Sequence, residues 1–239
     1  MERPRRTHAE ARAQMRAGIL RLGTAQLAEV GAAGLSVREI ARGLGVASSA
    51  IYRHVANRDE LLTLLVVEAY TDLADAVAAR APATEAPAQR LRQLARGVRE
   101  WAVAHPESWA LLYGSPVPGY RAPAAQTTPV GTRVMVQFLG VLAAGDPEVR
   151  HSARPPVSAA LAAELAAGIA ELTGDEGARL ARVAAEAPGF AADALESWTG
   201  LIGVVSAEVF GQLGSDLAAH GRELLERWAT TTAERFGLG

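Results

Sequence analysis

The sequence has no cysteine, and aromatic residues make up only 5% of its 239 positions. Without cysteine, disulfides and thiolate metal sites are excluded, and a reducing cytoplasm is the natural setting. With 49% hydrophobic residues but so few rings, the core is built from Ala, Leu and Val. Alanine is the best helix former and a poor strand former, so this composition favours closely packed helices. Long apolar runs are also missing, because Glu164, Glu171 and Glu208 interrupt the candidates before the roughly 18 to 20 residues that a spanning helix needs. The first residues, MERPRRTHAEARAQMRAGIL, are charged throughout and lack the apolar stretch of a signal peptide. A soluble, cytoplasmic protein with no membrane partner is expected. The histidines, His8, His54, His105, His151 and His220, are scattered and none pairs with a carboxylate at ligand spacing. No nucleophile elbow, phosphate loop or metal motif is present. These absences argue against an enzyme, a metal site and a bound cofactor.

Lysine is absent too, so all 24 basic residues are arginine, and their distribution is uneven. Residues 1–60 hold ten Arg against six acidic residues, whereas 61–239 hold fourteen Arg against twenty. The net charge of −2 therefore conceals a basic head on an acidic body, a split that points to nucleic-acid contact at one end.

Helical periodicity runs through the chain. Met15, Ile19, Leu22, Ala25, Leu27 and Val30 form one face of a helix expected over Arg5–Val30, with arginines opposite and Gly31 closing it. Ser36-Val37-Arg38-Glu39 reads as a capping box opening a short helix with Ile40, Ala41 and Leu44. Gly45 breaks it, a second short helix follows over about Ala47 to His54, and Asn57 has N-cap spacing for a helix reaching about Arg80. A helix with Leu91, Leu94, Val98 and Trp101 runs toward His105-Pro106. Residues 114–131, GSPVPGYRAPAAQTTPVG, carry four prolines and three glycines; they are expected to be a non-helical loop, with Tyr120 and Arg121 at a lid or entrance. Further helices are expected around 132–144, 157–172 and 175–186, then two long ones at about 190–213 and 215–236. No strand-like alternation and no repeat occurs. The fold class is all-α: a helix-turn-helix head over 1–56 and a helical ligand-binding and dimerisation body over 57–239.

Helix, tight turn with Gly45, helix is the punctuation of a helix-turn-helix. Ile40, Ala41, Leu44, Val46, Ile51 and Val55 make the inward face, which sends Ser48, Ser49, Tyr52, Arg53 and His54 outward. Such side chains can donate to base edges and phosphates in a major groove. Ser48 and Ser49 stand at the start of the reading helix, where base edges are reached, and Arg53 suits guanine. Tyr52 and His54 brace phosphates, as do Ser36 and Arg38 on the preceding helix. Arg58, at the next helix start, sits where a phosphate is favoured by its charge and by backbone N–H groups.

The stretch LSVREIARGLGVASSAIYRHVANRDELL, residues 35–62, resembles the DNA-binding signature of the tetracycline-repressor-like (TetR) family: a capped helix, a Leu-Gly-Val turn, Tyr-x-His, then Asn-basic-x-x-Leu-Leu. HPESWALLYGSPVPGYRAP and WTGLIGVVSAEVFGQLG are similar to one subclass of its ligand domains, the actinobacterial WHG-like type. The chain departs from that subclass at Ile202, where a histidine is common. The resemblance implies a homodimeric repressor with a helical ligand-binding body, released from a palindromic double-stranded DNA operator by a small molecule.

The body carries two further patterns. Leu195, Trp198, Ile202, Val205 and Val209, with Leu213, then Leu217, Leu224 and Trp228, form two adjacent apolar stripes with more surface than one core face needs, which suggests a second copy. The resemblance implies a four-helix bundle between copies. Trp101, His105, Trp109 and Tyr113 cluster before the proline-rich stretch and Met135 and Phe138 follow it; with Glu208 they are the candidate lining of a largely apolar ligand pocket. The alternative reading is a helical binding or interaction module without DNA contact.

Overall fold

The computed structural model describes residues 8–152, 154–172 and 174–239, and every regular element among them is a helix. In chain order these are α1 (His8–Val30), a single 3-10 turn (Ala32–Gly34), α2 (Val37–Gly43), α3 (Ser48–Ile51), α4 (Arg58–Arg80), α5 (Pro87–Ala104), α6 (Pro106–Tyr113), α7 (Ala124–Gly131), α8 (Arg133–Ala143), α9 (Pro147–Arg150), α10 (Ala159–Ala170), α11 (Gly174–Glu186), α12 (Pro188–Val209), α13 (Gly214–Ala218) and α14 (Gly221–Arg235). No helix among the described residues is long and apolar enough to cross a membrane.

Local chemistry sets these boundaries. Pro106, Pro147 and Pro188 stand in the first turns of α6, α9 and α12, where a missing N–H costs nothing. Asn57, Asp146 and Ser158 cap α4, α9 and α10 by accepting from Glu60, Glu148 and Leu161 N–H. The all-α expectation holds. The expected first residues of α1, Arg5–Thr7, lie outside the described residues.

The chain divides into two compact units, and the division falls within α4: Met1–Tyr70 with His105–Thr127, and Thr71–Ala104 with Thr128–Gly239. The first unit has a core of Ile19, Ile40, Ala41, Ile51, Val55 and Leu61. Leu111, Val117 and Tyr120 pack against it from the segment around α6. In the second, α5 packs on α8, α12 and α14 around Leu91, Leu94, Phe138, Leu201, Val205 and Leu225. Arg96 and Arg99 on α5 reach Glu226 and Glu208, each at 2.5 Å. Buried Asp193 accepts from both Arg154 and Arg235.

Three expectations are corrected. Residues 114–131 are not wholly a loop, because α7 occupies Ala124–Gly131 with Pro129 inside it. Pro123 precedes the helix, where its carbonyl accepts from Gln126 and Thr127 N–H at 2.9 and 3.1 Å; Pro129 removes one donor, and the next turn closes through Thr132 N–H on Thr128 O. The helix expected over Ala47–His54 is shorter, for beyond Ile51 the N–H groups of Arg53 and His54 bond three residues back. The two long C-terminal helices are three elements. After Val209, Gly211 takes φ 69° and its N–H meets Glu208 O while Gln212 N–H meets Ala207 O, the paired bonds of a Schellman stop. Gly214, at φ 72°, turns the chain again at the start of α13.

Candidate nucleic-acid interface

The turn between α2 and α3 has the same Schellman geometry. Gly45, at φ 67°, donates to Arg42 O at 3.0 Å, and Val46 donates to Ala41 O at 3.1 Å. A left-handed residue without a Cβ penalty is needed there, which Gly supplies. Ile40, Ala41, Ile51 and Val55 are all buried, so α3 is seated by its apolar residues.

Ser36 opens α2, its Oγ accepting from Glu39 N–H at 3.3 Å. The expected capping box is only half made. Ser36 N–H donates to Gln26 Oε1 at 3.0 Å, and the Glu39 carboxylate turns to Arg42 at 2.9 Å. A glutamine on α1 thus replaces the reciprocal arm, and nothing in the local spacing reveals it. Arg38 is exposed.

The start of α3 is different. Its N-cap is Ala47, which offers no side-chain bond. Ser48 and Ser49 are exposed, and their hydroxyls have no partner among the described residues. Capping therefore does not account for these two serines. Tyr52, 41% exposed, and Arg53 face outward beside them, and His54 is half-buried. The spacing of Ile51 and Val55 brings Ser48, Ser49, Tyr52 and Arg53 onto one accessible surface.

Arg58 is placed otherwise. Its Nη2 donates to Ala32 O at 2.8 Å, 26 residues away, and its Nε is buried without a bond. The side chain clasps the 3-10 turn after α1. At the same helix start Glu60 Oε2 accepts from Ala56 N–H at 2.6 Å, which fixes the exit from α3.

Sharing Arg53 with the surface of Ser48, Ser49 and Tyr52, a groove of about 260 Å³ is lined by Arg12, Ala13, Arg16, Ile19, Arg53, His54 and Leu64. Arg12 and Arg16 are among the arginines expected opposite the apolar face of α1, and their i, i+4 spacing is the only mark they leave in the sequence.

The candidate pocket residues divide between the units: His105, Trp109 and Tyr113 in the first, Trp101, Met135, Phe138 and Glu208 in the second. Trp109 is fully buried with its ring 4.4 Å from that of Tyr113, which meets Tyr70 edge-on at 6.3 Å. Burial pushes the phenols of Tyr70 and Tyr113 above their ordinary range, so both stay neutral donors. Phe138, also fully buried, meets Trp198 at a tilt with ring centres 5.6 Å apart and stacks with Trp228 at 6.2 Å. Trp101 is buried, Met135 half-buried and His105 exposed. Glu208 accepts from Arg99 Nε and Nη2 at 2.7 and 2.5 Å, the bidentate alternative to a pocket acid. Grooves of about 310 and 300 Å³ have other linings: one among Leu27, Val30, Leu111 and Val117, the other among Arg150, Arg154, Pro156 and Phe190.

Of the stripe on α12 to α14, Trp198 and Val205 point into the second unit's core. Leu195 and Leu217 are 42% and 56% exposed, and Ile202, Val209, Leu213, Leu224 and Trp228 are half-buried.

Known proteins match both regions. Residues 19–65 match the family of bacterial regulatory proteins of the tetR family, and 91–232 match the tetracyclin repressor-like C-terminal domain. The HTH-type transcriptional regulator Rv1816 of Mycobacterium tuberculosis is 43% identical over 221 residues, which cover 87% of this chain and 86% of that one. A Mycobacterium bovis regulator matches to the same extent. Among solved structures, a regulatory protein, SCO4313, aligns at 30% identity with a TM-score of 0.69, covering 96% of this chain and all of the other. A Rhodococcus sp. RHA1 protein of unknown function shares the fold at 22% identity and a TM-score of 0.61, covering 99% and 100% of the two chains. With a repressor-like domain match over more than half its length behind a matching helix-turn-helix, the chain belongs to the TetR family of transcriptional regulators.

Proposed function

We propose that this chain is a homodimeric repressor that binds a palindromic operator and leaves it when a small, largely apolar molecule binds the helical body. The observation that carries the reading is the surface of α3. Ser48, Ser49, Tyr52 and Arg53 are exposed while Ile51 and Val55 beneath them are buried. A rigid helix with polar groups at its start suits insertion into a major groove, and a twofold pair of such heads suits half-sites about one helical turn apart. Ser48, Ser49 and Arg53 are assigned to base edges. Tyr52, His54, Ser36 and Arg38 are assigned to the backbone, and Arg58 to holding the head together.

The exposed Leu195 and Leu217, with half-buried Ile202, Val209, Leu213 and Leu224, support pairing through α12 to α14. Release requires that the effector bind one spacing of the heads more tightly than the other. Substitutions at Trp101, Met135 and Phe138 in the second unit and at His105, Trp109 and Tyr113 in the first probe where it binds.

The test is selection of bound duplexes from a random pool by the full chain, followed by fluorescence anisotropy. The expected result is an inverted repeat bound in preference to a scrambled duplex, with Ser48→Ala and Arg53→Ala changing the base preferred at one position in each half-site. No enrichment over repeated rounds would mean a helical interaction module without DNA contact.

A further inference from the structure

We infer that the groove between α1 and the end of the reading segment is a phosphate-binding notch, in which Arg12 and Arg16 clamp the DNA backbone beside the helix-turn-helix. The inference rests on the DNA-binding reading above and adds to it a second anchoring element.

The notch brings three arginines and a histidine to one concavity: Arg12 and Arg16 from α1, Arg53 and His54 from the segment after α3. Its volume is about 260 Å³, enough for a phosphate group with its ester oxygens. Ala13, buried Ile19 and half-buried Leu64 complete the lining. Charges of one sign over apolar walls focus the field toward the opening and raise the local concentration of anions.

Neighbouring arginines mark the contrast. Arg42 is paired with Glu39 and Arg58 is bonded to Ala32 O. Arg12, Arg16 and Arg53 are exposed and have no hydrogen bond or ion pair among the described residues. Arg12 and Arg16, four apart on one helix face, repel each other and gain nothing from the helix. Such a grouping is unfavourable in isolation and becomes favourable when an anion enters between the guanidinium groups, which suit phosphate oxygens as bidentate donors.

The occupant argued for is a backbone phosphate of the duplex, because Arg53 belongs both to the notch and to the surface of Ser48 and Ser49. A phosphate in the notch lies beside whatever base edges those serines meet. Contacts of this kind fix register and orientation and carry no sequence information.

The experiment is an anisotropy titration of the full chain on its selected operator and on a scrambled duplex at several salt concentrations. It compares wild type, Arg12→Ala/Arg16→Ala, Arg12→Lys/Arg16→Lys and Ser48→Ala, with melting curves to confirm folding. The alanine pair is expected to weaken both duplexes by the same factor. The slope of log affinity against log salt should fall by about 0.9 for one phosphate lost, which is about eightfold weaker binding at about 0.1 M salt. The lysine pair should retain most of the slope, and Ser48→Ala should change the ratio between duplexes and leave the slope alone. A folded alanine pair with unchanged slope, while Ser48→Ala still alters the ratio, overturns the notch and leaves the regulator reading standing. Failure of wild type to bind any duplex removes the regulator reading itself, and the notch with it. In a separate arm, tripolyphosphate is titrated into DNA-free protein by calorimetry. Micromolar binding abolished by the alanine pair, with DNA affinity unchanged, would assign the notch to a free anion and overturn the proposal.

Discussion

Ser48 and Ile51 stand three positions apart on the same short helix and answer to different free energies. Ile51 is fully buried in the first unit's core. Its truncation to alanine should cost about 2 to 5 kcal/mol, the transfer term plus the cavity left behind, and calorimetry would register this as a lower Tm with or without DNA. Ser48 is exposed and its hydroxyl bonds to nothing else described in the chain. Ser48→Ala should therefore leave Tm unchanged and act only on the complex, by about 1 to 3 kcal/mol of discrimination at one base position. If Ser48→Ala lowered Tm as Ile51→Ala does, the serine would be a structural residue and not a reader. The sequence made this division legible, because Ile51 and Val55 at helical spacing leave the serines no inward face. The role of Arg58 was hidden: its partner is a backbone carbonyl 26 residues away, and a carbonyl leaves no mark in the sequence. The same holds for Gln26, whose bond to Ser36 N–H takes the place that spacing gave to Glu39.

At the scale of elements, starts were easier to read than interruptions. Asn57 and Gly45 carry their signals locally, in a side-chain cap and a left-handed turn. Ala124–Gly131 and the break after Val209 did not, because their proline and glycines are ambiguous until neighbouring carbonyls are placed. Contacts between distant helices were likewise out of reach, and the pair of Arg96 on α5 with Glu226 on α14, at 2.5 Å, is one that can be tested. The hydrogen bond from Arg96 holds the Glu226 carboxyl below its ordinary range, against the opposing effect of partial burial. A carboxyl depressed in the folded state stabilises fully above its unfolded pKa, about 4.3, and loses that contribution as pH falls through the lower folded value. Arg96→Gln should therefore lower Tm at neutral pH by a small amount, since both side chains are more than a quarter exposed. The difference from wild type should shrink as pH drops below about 4. A gap between the two Tm curves that stayed constant down to pH ~3 would show that the carboxylate's ionisation contributes nothing. In the first unit the segment after α6 offers a second test. Tyr120 shares a hydrogen bond of 3.1 Å with Thr63 and packs on the core. Tyr120→Phe should cost about 0.5 to 1.5 kcal/mol, and Tyr120→Ala more, because the ring's packing is lost as well.

For the molecule as a whole, the two adjacent apolar stripes read in the sequence divide between core and surface. Trp198 and Val205 are buried in the core, whereas Leu195 and Leu217 expose 42% and 56% of their surface and Ile202, Val209 and Leu224 are half-buried. A large aliphatic side chain left in water forgoes roughly 1.5 to 3 kcal/mol of burial, and several on neighbouring helices favour association with a second copy. Ile202→Asp with Leu217→Glu would place charge on that surface without touching Trp198 or Val205. The pair is expected to sediment as a folded monomer at micromolar concentration, and wild type as the proposed dimer. It should also lose most of its preference for an inverted repeat over a single half-site, since two linked heads gain from effective concentration what separate heads do not. Analytical ultracentrifugation together with anisotropy on both duplexes reads the two effects independently. A variant that remained dimeric with full inverted-repeat affinity would remove α12 to α14 as the proposed pairing surface while leaving α3 as the proposed reader, because α3 and α12 to α14 belong to different units of the chain.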